Sequence, residues 1–250
     1  MPDRWRVPLP LRSIAEIPPP MAPRAKTRDR IIEASLALFN AQGERNVTTN
    51  HIAAHLGISP GNLYYHFPNK QAIVAELFGQ YEARVDAFLR LPLARAMQVE
   101  DKAIYLEALL GAMWDYRFLH RDLEGLLDAN PQLAQRYQAF AGRCLRHARA
   151  IYQGFVDAGI LLMDPAQVED IALNAWIIIT SWVRFLSTSG IRSDRLSEAL
   201  LCRGVYQVLV LEEGVVADAA RVNYGELCRR FRVPLDVTVR EVWHLDFELD

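Results

Sequence analysis

Residues 59–70, with the sequence SPGNLYYHFPNK, concentrate side chains that form hydrogen bonds, stack or carry positive charge. Asn62, Tyr64, Tyr65 and His66 fall within about two helical turns, and Lys70 follows them. Amide, phenol, imidazole and ammonium groups bind polar partners, and nucleic acids offer such partners as base edges and phosphates. The segment therefore predicts a binding surface, and the elements around it must present that surface.

Capping residues and apolar spacing predict those elements. One helix runs from Thr27 to Gly43, because apolar residues recur along it three and four positions apart. A second helix begins at Thr48 or Thr49, either of which caps a helix by accepting a backbone N–H, and it ends at Gly57.

The third predicted helix coincides with the binding segment itself. Ser59 caps it, and Pro60 takes the first position, where its missing N–H costs nothing. The helix ends at Phe67, because Pro68 follows, and Asn69 caps a fourth, long helix.

The second and third helices have the dimensions of a helix-turn-helix, in which the second of the two helices enters the major groove of DNA. Leu63 and Phe67 lie four positions apart, so they should pack inward. This packing leaves Gly61, Asn62 and Tyr65 on the outer face, where they can meet a partner.

The remainder of the chain predicts a larger helical body. Its amphipathic helices are expected at 101–120, 122–128, 132–158, 166–188 and 195–211. Clean two-residue alternation does not occur before residue 230, so the predicted fold class is all-α. The last twenty residues alternate in places, but a single strand lacks a partner, so we expect irregular structure there.

Four parts are predicted along the chain. Residues 1–22 are rich in proline and are expected to be disordered. The DNA-binding domain spans 23–70, with its reading unit at about 49–68. A helical domain over 71–215 and an extension of uncertain structure over 216–250 complete the chain.

Charge is distributed unevenly between these parts. Residues 24–70 hold six Lys or Arg against three acidic residues, whereas residues 71–250 hold 19 against 25. A basic end on an acidic body suits contact with a polyanion through that end. The basic arm Arg24–Arg30 follows Met21, which is a candidate for the natural start of the chain.

Composition argues against several other classes. The hydrophobic fraction of 51% and the charged fraction of 23% are typical of globular proteins. The longest apolar run, Ile171–Val183, is too short to cross a bilayer, so we expect a cytoplasmic protein without a membrane partner. Cys144, Cys202 and Cys228 form no pair with metal-ligand spacing, so neither a metal nor a cofactor is expected.

The segment TTNHIAAHLGISPGNLYYHFPNKQAIVAELF combines the features above. It resembles the DNA-binding region of the TetR family of bacterial transcriptional regulators in its T-x-x-x-I-A-x-x-L-G-[IV]-S spacing and its L-Y-Y-H-F-x-x-K ending. The resemblance covers about residues 27–75. Further on, YRFLHRDLEGLLDANPQLAQRYQAF is similar to one branch of TetR-like C-terminal domains.

This resemblance implies a role for individual DNA-binding residues. Thr49 and Asn50 would meet the DNA backbone or an edge base, and Ser59 opens the reading helix. The positions that approach base edges are Gly61, Asn62 and Tyr65. The positions that hold phosphates are Tyr64, His66 and Lys70. Arg28, in the basic arm, would reach an adjacent minor groove.

Each of these side chains also has a purely structural interpretation. An isolated tyrosine such as Tyr64 or Tyr65 is more often a partly buried core residue. His66 at a helix end can satisfy backbone carbonyls through the helix dipole. The arginines of the arm can be a solvated tail. The complete pattern favours DNA contact for the cluster.

For the body, the resemblance implies a small-molecule effector and a homodimer formed by the last two long helices. Aromatic residues with a few polar groups predict a pocket for a hydrophobic or amphipathic ligand. The predicted pocket residues are Trp114, Arg117, Phe118, His120, Tyr137, Trp176 and Trp182. For any single one of them, a place in a filled core is the simpler interpretation.

The predicted function is a sequence-specific, homodimeric repressor that a ligand releases from a palindromic operator. A ligand-independent or activating regulator is the alternative within this class. An enzyme acting on a small molecule is the alternative from another class, but phosphate-loop, G-x-S-x-G and H-E-x-x-H motifs do not occur in the sequence. A non-specific architectural DNA protein is disfavoured by the acidic body. The protein is therefore predicted not to be an enzyme.

Overall fold

The computed structural model describes residues 26–91, 95–192 and 195–234. The predicted disordered extension 1–22, the candidate start at Met21 and the first part of the basic arm lie outside the described residues. Most of the alternating C-terminal segment lies outside them too.

Ten α-helices and no β-strand form the described part of the chain, which confirms the all-α prediction. Their bounds are α1 Thr27–Gln42, α2 Thr49–Leu56, α3 Pro60–His66, α4 Lys70–Phe88, α5 Val99–Asp115, α6 Arg117–Asp128, α7 Pro131–Asp157, α8 Pro165–Thr188, α9 Glu198–Glu212 and α10 Arg221–Phe231. A short 3-10 turn, Glu44–Asn46, connects α1 to α2. We call it the α1–α2 turn.

The capping residues act where the sequence predicts. The Thr48 side chain accepts the N–H of His51 and caps α2, which ends at Gly57 in the left-handed conformation. The Ser59 side chain accepts the N–H of Asn62, and the Asn69 side chain accepts the N–H of Ala72. Short polar side chains thus cap the starts of α2, α3 and α4.

A prediction that fails is the single helix over 101–120. The helix is interrupted at Tyr116, whose φ of −116° and ψ of 31° lie outside the helical range, and α6 begins after this residue. The Asn40 side chain compensates for the break: its Nδ2 donates to the Asp115 carbonyl at 2.7 Å, and its Oδ1 accepts the Phe118 N–H at 3.1 Å. Because Asn40 is distant in sequence and neither glycine nor proline marks the break, local pattern did not reveal it.

Helix α10 lies in the extension 216–250, whose structure the sequence left uncertain. It packs against α5 and α9. Glu212, fully buried at the end of α9, accepts hydrogen bonds from the hydroxyls of Tyr224 and Tyr152, each at 2.7 Å, and pairs with Lys102. A buried carboxylate satisfied from three other helices ties α10 to the body.

One apolar core is continuous from the helix-turn-helix into the body. It includes Ile52 and Leu63 of the N-terminal unit, Phe78 of α4 and Phe118 of α6, all essentially inaccessible to solvent. A second core is built from α5, α7, α8, α9 and α10. Residues of α3, α4 and α6 all contribute to the first core, and because cores are closely packed, a displacement of α4 or α6 would disturb the packing of α3.

The α8–α9 contact supplies a stability test. A Cβ built on Gly204 would lie 2.6 Å from the indole Nε1 of Trp182, and that indole is fixed by donating to the Leu200 carbonyl at 2.7 Å. Gly204→Ala should therefore lower the free energy of unfolding by about 1–3 kcal/mol through overpacking. Urea unfolding at one fixed protein concentration measures the change.

Gly225→Ala is the matched control, since a Cβ on this α10 glycine would meet nothing within 4 Å. It should leave stability unchanged or raise it by about 0.5–1 kcal/mol, because alanine favours the helix. Equal effects of the two substitutions would contradict the close α8–α9 packing.

Candidate nucleic-acid interface and internal cavity

One face of helix α3 is buried against the protein, and the opposite face is exposed. Leu63 is fully buried and Phe67 is 3% exposed. Gly61 and Asn62 are exposed, and Tyr65 is 85% exposed. The structure therefore brings the three residues predicted to approach base edges onto one open surface, while the opposite face holds the helix in place.

The residues predicted to meet the DNA backbone flank this surface. The Thr49 and Tyr64 hydroxyls lie 3.0 Å apart, which links the start of α2 to α3. The Tyr65 and His66 rings meet edge to face with centroids 5.1 Å apart. Asn50 is exposed beside Thr49 at the start of α2. Hydroxyl, amide and imidazole groups thus surround the outer face of α3.

The Lys70 ammonium, which was predicted to hold a DNA phosphate, already has several partners within the protein. Its ammonium donates to the carbonyls of Glu44 at 2.9 Å and Val47 at 3.1 Å, and it pairs with the Glu44 carboxylate at 2.8 Å. All three contacts fix the α1–α2 turn to the first residue of α4. This geometry favours a positioning role, and a phosphate contact by Lys70 stays a prediction.

Arg28 is likewise held by the protein. Its guanidinium pairs with Glu76 of α4 at 2.6 Å and lies over the Phe67 ring, 5.0 Å from the centroid. The ion pair joins the start of α1 to α4. A minor-groove contact by Arg28 stays a prediction, and it would require the guanidinium to leave Glu76.

The predicted pocket residues divide into two groups. His120, Tyr137 and Trp176 line a small chamber between α4, α6, α7 and α8, together with Phe78, Tyr81 and Phe140. The chamber holds about 20 Å³, which is room for about one water molecule. It adjoins an open groove of about 380 Å³, and both are lined by His120, Leu123, Tyr137 and Thr180.

The other predicted pocket residues lie elsewhere. Phe118 is fully buried in the core, with its ring 5.3 Å from that of Phe39. Trp114 stacks with Arg117, whose guanidinium lies 4.4 Å from the ring centroid. Trp182 packs on α9. None of these four side chains is among those that line the chamber, and a ligand contact by any of them stays a prediction.

Phe78 and Tyr81 line the chamber although the sequence did not single them out. Both lie on α4, four and seven residues after Val74, on the face that also packs against α7. Their spacing marks a buried face but does not separate a cavity wall from a filled core. Only the tertiary contacts with α6 and α7 make that distinction.

Charged groups occur in the groove, whereas the inner chamber has none among the side chains described there. His120 lies with its Nε2 3.1 Å from the Tyr81 hydroxyl, and burial lowers the pKa of His120 from 6.5 to about 4. The imidazole is therefore neutral at pH 7. Arg184 pairs with Glu124 in the groove. The chamber suits an uncharged, aromatic or aliphatic group, and the groove suits a polar one.

Two family models match this architecture. Residues 31–77 match the model described as "Bacterial regulatory proteins, tetR family", and residues 80–224 match the one described as "Bacterial transcriptional repressor". The chain belongs to the TetR family. The resemblance in the helix-turn-helix sequence is thereby confirmed, and DNA-binding transcriptional regulation follows from the family.

A solved TetR-family regulator and curated helix-turn-helix regulators are similar to the chain. A TetR-family transcriptional regulator from Marinobacter aquaeolei VT8 is 46% identical, with a TM-score of 0.77 over 83% of this chain and 100% of that one. The regulator UidR of Escherichia coli K12 is 29% identical over 43% of this chain, and the repressor KstR2 of Mycolicibacterium smegmatis is 33% identical over 25%. The chain matches 55% of the length of UidR and 34% of that of KstR2.

The neutral state of His120 gives a test of the chamber. Between about pH 6.5 and pH 4 the unfolded chain binds a proton that the folded protein does not, so acid should lower stability in this window. From pH 7 to pH 5 we expect a cost of about 2 kcal/mol in the free energy of unfolding. Urea unfolding at the two pH values measures it.

His120→Gln should remove this part of the pH dependence, whereas His147→Gln, on the exposed surface of α7, should leave it unchanged. If the wild type and both variants lost the same free energy on acidification, the buried, neutral state assigned to His120 would be wrong.

Proposed function

We propose that the protein is a homodimeric repressor that binds a palindromic operator in the cytoplasm and is released by a small hydrophobic or amphipathic molecule. The observation that supports this proposal is the open face of α3, where Gly61, Asn62 and Tyr65 project from a helix anchored by Leu63 and Phe67. The other side chains of the unit surround this face without covering it.

Base recognition is the role that suits the face. A major groove is wide enough for one helix, and Gly61 lets the backbone approach closely. Asn62 has both a donor and an acceptor, as adenine requires, and the Tyr65 ring offers an apolar edge and a hydroxyl. Thr49, Asn50, Tyr64 and His66 would hold the flanking phosphates, which fixes the register of α3 on the duplex.

Apolar exposure on α8 and α9 supports the homodimer. The exposed residues are Leu173, Ile177 and Phe185 on α8 and Val210 and Leu211 on α9. Between the two helices lies a groove of about 250 Å³ with little polar lining. A second copy would cover this face and bring two copies of α3 to one duplex, which matches the two-fold symmetry of a palindrome.

The sequence predicted that the apolar run Ile171–Val183 is too short to cross a bilayer, but α8, which contains this run, has the length and hydropathy of a membrane-spanning segment. Its packing against α6, α7 and α9 places it within the helical body. A dimer interface would cover the apolar surface of α8 that remains exposed, so a bilayer is not needed to explain that surface.

Release by a ligand is supported by the chamber and its groove. The aromatic walls favour an apolar group, and the paired charges of Arg184 and Glu124 at the groove favour a polar end. An apolar group larger than the chamber can enter it only if the side chains or helices of its wall, on α4, α6, α7 and α8, move apart. A ligand can shift the DNA-binding equilibrium only by its difference in affinity for the two arrangements.

Selection from randomised duplex DNA at near-physiological salt tests the proposal as a whole. The purified protein should enrich an inverted repeat. Binding that shows no preferred sequence and only weakens as salt rises would contradict it, because phosphate contacts alone behave in that way.

Tyr65→Ala tests the reading face. The variant should bind the selected duplex about 1–3 kcal/mol more weakly and a random duplex within about twofold of the wild type. Fluorescence anisotropy titrations with both duplexes measure the ratio. Val222→Ala, which truncates a side chain 72% exposed on α10, is the control and should change neither affinity. Equal losses of affinity for both duplexes would indicate that Tyr65 contacts the DNA backbone and not the base edges.

Ile177→Glu tests the dimer. Burying a carboxylate at the proposed interface should weaken self-association at least about tenfold, since an unpaired buried charge is costly. Ile104→Glu makes the same substitution at a position 60% exposed on α5 and should leave the dimer intact. Sedimentation velocity measures both. A monomeric wild type, or equal behaviour of the two variants, would contradict the α8–α9 dimer.

A further inference from the structure

Side chains of helix α6 form hydrogen bonds to the end of α1 and to the α1–α2 turn. The Asp122 carboxylate accepts the backbone N–H of Glu44 at 3.0 Å. Arg121 donates to the Phe39 carbonyl at 2.8 Å and pairs with Asp122 at 3.0 Å. The side chains of Arg121 and Asp122 are only 12% and 15% exposed. Water therefore competes weakly for these hydrogen bonds, so their geometry is well defined. We call the contacts of Arg121 and Asp122 with Phe39 and Glu44 the junction.

From the α1–α2 turn, the contacts continue to the reading unit. The Lys70 ammonium joins the Glu44 carboxylate and carbonyl to the carbonyl of Val47. Val47 is fully buried, and the next residue, Thr48, caps α2. A displacement of the turn must therefore move the start of α2, on which α3 is packed.

In the other direction, the contacts lead to the chamber. His120, next to Arg121 on α6, forms part of the chamber wall and bonds to Tyr81. With room for about 20 Å³, the chamber accepts a larger group only if a wall moves. Since α6 carries both the wall residue His120 and the junction residue Asp122, movement of this wall is movement of the junction.

We propose that Asp122 is a positioning residue that couples the chamber to the DNA-reading unit by tying α6 to the α1–α2 turn. This route runs from α6 through Glu44 and Lys70 to α2, so it does not depend on bending along the length of α4. The inference rests on the proposed DNA-binding function. It makes the Glu44 N–H to Asp122 hydrogen bond a polar connection between chamber and reading unit, in addition to the apolar core that they share.

Linkage lets this coupling be tested without a known ligand, because two coupled sites influence each other equally. Hydrogen exchange measured by mass spectrometry, with and without the operator duplex obtained by selection, reports on each helix. In the wild type, DNA should slow exchange in α3, and it should also slow exchange in 117–128 by about threefold or more. In Asp122→Ala, DNA should still protect α3 and α4, but the change in 117–128 should be lost.

Two further variants separate coupling from general damage. Asp122→Asn keeps an oxygen for the Glu44 N–H and should retain most of the DNA-dependent change in 117–128. Asp157→Ala removes an exposed carboxylate at the end of α7 and should behave as the wild type. Circular dichroism melts without DNA show whether each variant is folded, and if Asp122→Ala is not, the wild type and Asp122→Asn decide the question.

The outcomes are distinguishable. An unchanged response of 117–128 to DNA in Asp122→Ala, or no response in the wild type while α3 is protected, would overturn the role of Asp122. Absence of α3 protection would instead overturn the proposed DNA-binding function, and the coupling would fall with it.

Discussion

The burial of Leu63 and Phe67 in the core that α3 shares with α1 and α2 is the constraint on which the rest of the structure depends. A helix of seven residues is too short to be stable alone in water, so α3 exists only because one of its faces is buried. The same burial determines which side chains remain outside. If Leu63 were not fixed, Asn62 and Tyr65 would have no defined direction, and no base sequence would be preferred over another. The caps at Ser59 and Thr48 set the limits of the helices but do not orient them.

Because α3 is anchored in a core shared with α4 and α6, the reading unit and the body are not independent. Phe78 and Tyr81 on α4 line the chamber, while the first residue of the same helix, Lys70, fixes the α1–α2 turn. Helix α6 reaches the turn through Asp122. A ligand that prefers a wider chamber would therefore act on the orientation of α3 from two sides. Its effect is limited to its preference for the wider state, and moving a population almost completely requires about a 10⁴-fold preference.

The parts of this structure that local chemistry determines are the parts that the sequence predicts. Thr48, Ser59, Pro60 and Asn69 act on backbone groups within three residues, so α2, α3 and the start of α4 follow from the pattern. The break at Tyr116 depends on Asn40, and the docking of α10 depends on Glu212, Lys102 and Tyr152; these partners are distant in sequence. The chamber is the least predictable feature, because Phe118 and Phe140 look alike in the sequence and only tertiary packing makes one a core residue and the other a wall.

In the proposed function, one dimer presents two copies of α3 to two half-sites on the same side of the duplex. Helical phasing tests it most directly. The affinity of the protein for the selected inverted repeat should be compared with its affinity for the same duplex carrying five additional base pairs between the half-sites, which turns one half-site by about half a helical turn. Binding of the lengthened duplex should fall toward the level of a random duplex. Unchanged affinity would show that the two half-sites are not read together, and would contradict the proposed dimer.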